Sequence, residues 1–219
     1  AGESTQLVVI GDFRDQEEVI LPASYVKCGS ENGLGADINE YGVLSGLSDG
    51  VEIVSVQKNG IEAVTAVRVG DFGIPTNEAE FNVALAESQG LNVYPGAVTL
   101  VEGVERQILV GIQGEIDSPD LRNASTGTRY FASNSDVLQV TEDGLITALD
   151  EGVANVTVFH GAAEYVLPVR VELPHLNEAT LGTKGGAVQS ADGSMVMIAP
   201  GALEENTKVS IKQITKEDL

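Results

Sequence analysis

Carboxylates are the side chains best able to do chemistry in this 219-residue sequence, which holds 33 Asp and Glu, 12 Lys and Arg, and a net charge of −21. Adjacent pairs recur at Glu17-Glu18, Glu142-Asp143, Asp150-Glu151 and Glu204-Glu205. Glycosidases hold two carboxylates roughly 5–10 Å apart across a cleft, as acid and base. These pairs fall in predicted turns with no evident cleft, so they indicate a solvated acidic surface.

Calcium binding is the second chemistry that carboxylates can support. The cation takes about six to eight oxygen ligands, and a joint between tandem domains can supply them from two sides. Asp71 lies in a short Gly/Pro-bearing joint at 70–75, and Glu172 and Glu178 lie at a second joint. These three residues are our calcium candidates, although the sequence has no Asp-x-Asp-x-Asp-Gly loop. Diffuse counterions around an acidic surface are the alternative.

Histidine and cysteine give no support to catalysis. His160 and His175 stand alone, in a predicted hairpin turn and a joint, and we expect both to be exposed. Cys28 lies in an apolar segment and is expected to be a buried structural thiol. No zinc, nucleophile-elbow or phosphate-loop motif is present. We therefore predict that the protein is not an enzyme and assign no catalytic or cofactor-binding residue.

Charge and composition also exclude partners. The acidic field repels nucleic acids and anionic membranes, and no apolar run approaches the roughly 18 residues of a membrane helix. Stacking on sugars favours Trp, which the sequence lacks. Tyr41, in a predicted turn, is therefore the best exposed candidate for a glycan contact. Tyr25 and Tyr130 are predicted to be core residues with bonded hydroxyls.

The elements that position these residues are predicted to be strands. Apolar and polar residues alternate with a period of two, for example in 51–56 and 156–159. Asn59-Gly60 and His160-Gly161 each separate two strand-like runs, as tight hairpin turns do. Residues 78–88 have a helix-forming composition, yet their alternation of apolar and polar side chains favours a strand.

The same small domain is encoded twice. The hairpins around Gly42 and Gly50 recur around Gly144 and Gly152, at an offset of 102 residues in both cases (144 − 42 and 152 − 50). A repeat of this length indicates one domain used in tandem, and the joints are short enough that neighbours should touch. We predict an all-β fold of tandem immunoglobulin-like β-sandwiches with a partial third β-domain, at residues 1–70, 74–173 and 178–219.

The two copies differ at their amino-terminal ends. The second opens with Leu91-Asn92-Val93-Tyr94-Pro95, whereas the first matches only from Gly103 onward. We therefore expect the first domain to lack its opening strand, or to borrow one from elsewhere, because an uncovered edge leaves backbone groups unpaired. The sequence is expected to be a piece of a longer protein.

The second copy resembles the bacterial immunoglobulin-like domain, group 2, of invasin- and intimin-type adhesins. The resemblance rests on Tyr130-Phe131-Ala132-Ser133-Asn134, on Asp143-Gly144-Leu145-Ile146-Thr147-Ala148-Leu149, and on Gly152. The family usually has Trp at the position of Tyr130. Residues 185–211, with Gly185-Gly186 and Pro200-Gly201-Ala202-Leu203, are similar to the opening half of a ZU-five-type β-domain. Both resemblances imply structural or interaction modules rather than enzymes.

These observations predict a structural or adhesion segment, a stalk or spacer, of a larger secreted or cell-surface bacterial protein. Its expected partners are other domains of the parent protein and a host or cell-surface protein or glycan, with no nucleic acid and no membrane insertion. One alternative is an accessory glycan-binding module of a secreted hydrolase, and a second is a virion or surface-layer component. The predicted location is extracellular or at the cell surface.

Overall fold

Short strands dominate the chain in the computed structural model, which describes residues 2–71, 73–115 and 118–212. The strands confirm the all-β class that the alternation predicts. We call residues 2–70 the first module and 74–173 the second module, because they are the two copies of the repeat. We call residues 175–210, which follow them, the third module.

The first module consists of eight strands in three small sheets. The strands are β1 (Ser4–Gln6), β2 (Val9–Gly11), β3 (Val19–Leu21), β4 (Lys27–Ser30), β5 (Ala36–Ile38), β6 (Val43–Gly46), β7 (Gly50–Lys58) and β8 (Ile61–Val69). They pair in the orders β1-β6-β5, β2-β3 and β4-β7-β8, so β8 lies at the edge of its sheet.

The second module begins with helix α1 (Glu78–Gln89) and continues with nine strands. These are β9 (Leu91–Tyr94), β10 (Val98–Val101), β11 (Glu105–Gln107), β12 (Leu109–Ile112), β13 (Thr128–Ala132), β14 (Leu138–Val140), β15 (Leu145–Ala148), β16 (Gly152–His160) and β17 (Ala163–Glu172). Their orders are β10-β17-β16-β13, β11-β15-β14 and β12-β9. The strand β10 runs parallel to β17, and the other pairs are antiparallel.

The third module consists of five short strands. They are β18 (His175–Leu176), β19 (Glu178–Leu181), β20 (Gly186–Gln189), β21 (Met195–Ile198) and β22 (Thr207–Ser210). Their orders are β18-β20-β21 and β19-β22. Leu181, Ala187 and Val188 are buried here.

The two copies of the repeat share strand register as well as turns. Thr5 of β1 pairs with Leu44, and Arg106 of β11 pairs with Ile146 at the corresponding position. In each copy, one glutamine side chain is hydrogen-bonded to the turn of the repeated hairpin around Gly42 or Gly144. The Nε2 of Gln6 donates to the carbonyl of Tyr41 at 3.0 Å, and that of Gln107 donates to the carbonyl of Asp143 at 2.7 Å.

Residues 78–88 form a helix, so the strand predicted there is wrong. Asn77 caps the helix, because its side chain accepts a hydrogen bond from the N–H of Glu80 at 3.0 Å. Glu80 reaches back to accept the N–H of Thr76, the residue before the cap, at 2.7 Å, so the chain that enters the helix is held as well. These local bonds and the run of helix formers outweigh the alternation of apolar residues. None of the described helices is long and apolar enough to cross a bilayer.

The cores of the two modules differ in size. Among the described residues, twenty buried side chains form the core cluster of the second module. The corresponding cluster of the first module has four, which are Ala36, Ile38, Leu44 and Val54. The second module therefore covers its own sheet faces much more completely than the first.

The two tyrosines predicted as core residues have different surroundings. Tyr130 packs against the core of the second module, and its hydroxyl donates to the carbonyl of Arg122 at 2.7 Å. Burial raises the pKa of this phenol above its ordinary value. Tyr25 is 39% exposed and lies in a 3-10 turn with the Lys58 ammonium over its ring, so its predicted core position is wrong. The strand of the first copy that corresponds to β13 is β4, in which Cys28 pairs with Val56 as Tyr130 pairs with Val158, so Tyr25 lies before that strand.

A buried carboxylate supports the loop between β4 and β5 of the first copy. Glu52 is 2% exposed, and its carboxylate accepts the N–H groups of Asn32, Leu34 and Gly35 at 2.8, 3.2 and 3.1 Å. The corresponding position of the second copy is Ala154 (154 − 52 = 102), where the loop between β13 and β14 has the same length. Burial alone would raise the pKa of Glu52, but the bonds from the 32–35 backbone outweigh it and hold the pKa below its ordinary value.

We predict that Glu52→Gln lowers the free energy of unfolding of the first module by about 2 kcal/mol at pH 7, because charge-assisted bonds to backbone donors are lost. A depressed folded pKa means that this stabilisation is present above the ordinary carboxyl pKa and is lost as the pH falls through the folded pKa. Urea unfolding from pH 7 down to pH 2 should therefore show a smaller acid loss in Glu52→Gln. Glu40→Gln, at an exposed turn, is the control, and equal acid losses in both variants would contradict the prediction.

Candidate functional site

The strand β8 carries a set of contacts from the first module to the second. The N–H of Glu62 donates to the carbonyl of Ser133 at 2.9 Å, and Ile61 forms an isolated antiparallel bridge with Asn134. Midway along β8, the hydroxyl of Thr65 donates to the Glu164 carboxylate at 3.2 Å. The two modules thus touch along the length of a strand, in addition to the joint that connects them. We refer to these contacts and those described next as the β8 junction.

Glu87 of helix α1 is the charged centre of the β8 junction. It accepts a hydrogen bond from the Nε of Arg68 at 2.9 Å and pairs with a second nitrogen of the same guanidinium. The same carboxylate accepts the N–H of Ala162, in the turn between β16 and β17, at 2.6 Å. The side chains of Arg68 and Glu87 are 21% and 15% exposed. A bidentate pair with this little exposure is stronger than an open surface pair.

Gly161 lets the β16–β17 turn lie flat against helix α1. Its φ is +62°, and a Cβ built there would stand 2.5 Å from both Val83 Cγ1 and Glu87 Oε1. Any larger residue would push the turn from the helix, so the short distance from Ala162 to Glu87 depends on glycine at this position.

One row of side chains on β13, β16 and β17 faces the first module. Arg129, Phe159 and Glu164 are cross-strand neighbours in this row. Arg129 pairs with Glu31 of the first module, and Glu164 bonds to Thr65. Phe159 lies between them, is fully buried, and does not belong to the core cluster of the second module. The row is therefore an inter-module surface with an apolar centre and polar ends.

His160 is buried, so its predicted exposure in the hairpin turn is wrong. It ends β16, it is 1% exposed, and its Nδ1 lies 3.1 Å from the hydroxyl of Thr128. Burial lowers the pKa of the imidazole, against an opposing effect of the Glu87 carboxylate. The turn begins one residue later than predicted, and the alternation of β16 points His160 to the same side as Val156 and Val158. His175 is exposed in β18, as predicted.

The structure pairs two of the three calcium candidates with cations. Glu172 lies 3.2 Å from the Nε of Arg170, and Glu178 lies 2.9 Å from the Nζ of Lys208. Asp71 is exposed within the first joint. Within residues 2–71, 73–115 and 118–212, no group of three or more acidic, histidine or cysteine side chains has the arrangement of a metal site. Calcium at these residues stays a prediction.

Tyr41 borders an open depression on the first module. The side chain is 70% exposed, and the depression has a volume of about 850 Å³. Its lining includes Pro22, Lys27, Cys28 and Glu40. Cys28 is only partly buried and packs against the small core of the first module. The depression combines one aromatic ring with one residue of each charge, which are groups that can contact a sugar.

Comparisons with known proteins give distant likenesses. No protein-family model matches the chain. An uncharacterized protein of Bacillus subtilis (strain 168), YjdB, is 29% identical over 103 residues, which is 47% of this chain and 84% of YjdB. Among solved structures, the S-layer protein SbsC is 14% identical with a TM-score of 0.33, over 82% of this chain and 25% of SbsC. The titin Ig tandem A164-A165 is 11% identical with a TM-score of 0.22, over 78% of this chain and 89% of the tandem.

The chain spans about a quarter of the S-layer structure that it matches. At these scores the likenesses bear on neither family nor function. The residues of the β8 junction were not among the candidates from the sequence. The pairing of Arg68 with Glu87 joins residues 19 positions apart on the first module and helix α1, and period-two alternation carries no signal for such a contact.

We predict that Glu87→Ala lowers the free energy of unfolding by about 2–3 kcal/mol, because a partly buried carboxylate that accepts three N–H groups is lost. In a double-mutant cycle with Arg68→Ala, the coupling should be about 1–2 kcal/mol. Both quantities come from urea denaturation of the full chain. Glu78→Ala, on the exposed first turn of the same helix, serves as control and should change stability by less than about 0.5 kcal/mol. Zero coupling would show that the ion pair does not join the modules.

Proposed function

We propose that this chain is a non-catalytic structural segment of a bacterial cell-surface protein, in which neighbouring immunoglobulin-like modules pack side by side. The observation that carries the proposal is the β8 junction. It joins two modules through a backbone hydrogen bond, a bridge, two ion pairs and the hydrogen bond from Thr65 to Glu164. Such a junction restrains the angle between modules, which a load-bearing segment needs.

The structural role also agrees with the surroundings of the titratable groups whose pKa values are shifted. Glu52 binds a backbone loop, Glu80 belongs to a helix cap, and Tyr130 packs against the core. The shifted pKa values of these three groups therefore have structural causes. The proposal includes the finer resemblance stated for the sequence, namely group 2 bacterial immunoglobulin-like domains followed by a ZU-five-like module. It places the protein outside the cell or on its surface, where an acidic chain of −21 net charge stays soluble.

The position of the junction favours a surface-layer component over a simple stalk. A stalk gains reach when modules meet only at their ends, but here β8 contacts the second module from Ile61 to Arg68. Lateral contacts shorten a chain of modules and are what a sheet-like assembly uses. The S-layer domains among the solved structures with a similar fold are consistent with this proposal, but they do not carry it.

A glycan-binding module is the second candidate, because Tyr41 stands beside an open depression. One tyrosine makes a small platform for a sugar ring. A glycan array with the full chain separates the two functions. The structural proposal expects no saturable binding, whereas a glycan module would bind at one face and lose affinity in Tyr41→Ala.

Calcium at the joints is the remaining part of the proposal. Binding at Glu172 or Glu178 requires the cation to replace Arg170 or Lys208 as the charge partner. A melting temperature that rises with millimolar calcium and falls with chelator would support it, and Glu172→Gln should then reduce the rise. An unchanged melting temperature would remove calcium from the proposal.

We predict that Gly161→Ala opens the β8 junction and increases the radius of gyration of the full chain, because the new Cβ would overlap Val83 and Glu87. Small-angle X-ray scattering measures this change. Gly127→Ala is the matched control, since Gly127 also has a positive φ, of +90°, but no atom lies within 4 Å of its Cβ position. Both variants carry similar backbone strain, so only a clash separates them. Equal radii for the two variants would show that the β16–β17 turn is not needed to hold Glu87 against Arg68 of the first module.

A further inference from the structure

A buried series of hydrogen bonds ends at His160, where β16 packs against helix α1. The hydroxyl of Thr126 lies 2.7 Å from the carbonyl oxygens of Leu121 and Asn123, and 3.2 Å from the hydroxyl of Thr128. The hydroxyl of Thr128 lies 3.1 Å from Nδ1 of His160. Thr128 and His160 are 2% and 1% exposed, so the imidazole end of the series is shielded from solvent.

The direction of these bonds follows from the number of protons that each group holds. A threonine hydroxyl has one proton to donate, and a carbonyl oxygen can only accept. The proton of Thr126 therefore points to a carbonyl, and Thr128 donates its own proton to Thr126. Nδ1 of His160 must then donate to Thr128, so the neutral imidazole carries its proton on Nδ1 and leaves Nε2 unprotonated.

Nε2 of His160 has no hydrogen-bond partner in the parts of the chain that the structure describes. A proton added there would be both an unpaired donor and a buried charge, and each of these costs free energy. Burial lowers the pKa of the imidazole for this reason, while the carboxylate of Glu87 opposes the effect. The surroundings of His160 therefore favour its neutral form.

The strands beside His160 bring no charge to it. Its cross-strand neighbours are Thr128 on β13 and Ala163 on β17. The charged residues next to these two, Arg129 and Glu164, belong to the row on the other side of the sheet, which faces the first module. Helix α1 is therefore the element that brings a charge to the imidazole.

Glu87 of helix α1 is that charge. Its carboxylate already accepts hydrogen bonds from Arg68 and from the N–H of Ala162, two residues after His160. A protonated Nε2 would have to take Glu87 from these partners or leave its buried position for water. His160 pairs with Ala163 at the end of the β16–β17 hairpin, so this end can fray while the rest of the sheet stays paired. Either response breaks the bonds by which Glu87 joins the turn to Arg68.

We propose that the β8 junction is acid-sensitive, because a proton bound at Nε2 of His160 releases the β16–β17 turn from helix α1 and separates Glu87 from Arg68. The inference rests on the proposed function, in which the junction fixes the orientation of the two modules. It adds to that function a condition under which the modules come apart.

The pH interval of the opening follows from the direction of the shift. The neutral imidazole stabilises the closed junction fully above the ordinary histidine pKa of about 6.5. Because the folded pKa is lower, this stabilisation is lost as the pH falls from that value through the folded pKa. Carboxylates have ordinary pKa values of about 4, so they stay ionised over most of the interval. The junction is therefore closed at neutral pH and opens in mildly acidic surroundings.

Nitrogen-15 NMR of the imidazole rings tests where the proton binds. The chain has two histidines, and His175 is exposed in β18, so His160→Asn assigns the two sets of signals. We expect His160 to show the Nδ1–H form at neutral pH and to titrate below about pH 6.5. Glu87→Gln should move this titration to lower pH, because the carboxylate no longer attracts the proton. An Nε2–H form, or a titration that Glu87→Gln leaves unchanged, would overturn the proposal.

Hydrogen exchange of the full chain measures the opening itself. The N–H groups of Ala162 and Glu62 report on the turn and on the contact with Ser133. After correction for the intrinsic pH dependence of exchange, their protection should fall by up to about tenfold between about pH 7.5 and pH 5.5, because the open state binds the proton with the ordinary pKa.

Two histidine variants provide the matched pair for this measurement. His160→Asn should remove the pH dependence, since its amide can donate to Thr128 as Nδ1 does but binds no proton in this interval. His175→Asn should keep the full pH dependence of the parent chain. Equal losses of protection in both variants, or no loss in the parent chain, would show that His160 does not control the junction.

The coupling between Arg68 and Glu87, measured at about pH 7.5 and pH 5.5, separates this inference from the proposed function. A coupling that is smaller at the lower pH, and that stays constant in His160→Asn, supports both. A coupling that is present and equal at the two pH values supports side-by-side modules and overturns the acid sensitivity. Absence of coupling at both pH values would contradict the junction, and the acid sensitivity with it.

Discussion

Coverage of sheet faces is the constraint on which the rest of this structure depends. A sheet has one face or both available for packing, and apolar residues on those faces must be buried by another element. The second module meets this requirement internally, because β9, β10 and helix α1 add residues to its core cluster. The first module has the same central hairpin but a cluster of only four fully buried side chains among the described residues. Its stability therefore depends on supports from outside that cluster.

Two such supports are visible, and they act on different parts of the first module. Glu52 holds the β4–β5 loop through three backbone N–H groups, so a buried charge replaces apolar packing at the position of Ala154. The β8 junction holds the other face, where Phe159 of the second module is buried between two polar contacts. Because the junction is both a support and a restraint on module orientation, the stability of the first module and its orientation depend on the same residues.

Much of the fold could be predicted from the sequence because it follows from local rules. Glycines at turn positions, period-two alternation and the 102-residue offset predict the strands and the shared register of the two copies. Helix α1 was missed, although Thr76, Asn77 and Glu80 together form a capping pattern that could have indicated it. His160 was misplaced by one residue at the end of β16, and that shift moves its side chain from solvent to the core.

The β8 junction and the Glu52 loop could not be predicted because their partners lie far apart in sequence or on another module. A charged residue within a run of β-branched residues is normally interpreted as an outward-facing position of a strand. The residues next to Glu52 carry no pattern that predicts a loop over its side chain. Comparison of the two copies does carry such a sign, since the carboxylate of Glu52 stands at the position where the other copy buries Ala154. In a duplicated domain, therefore, matched positions predict architecture, and mismatched positions indicate where one copy has had to cover its sheets by other means.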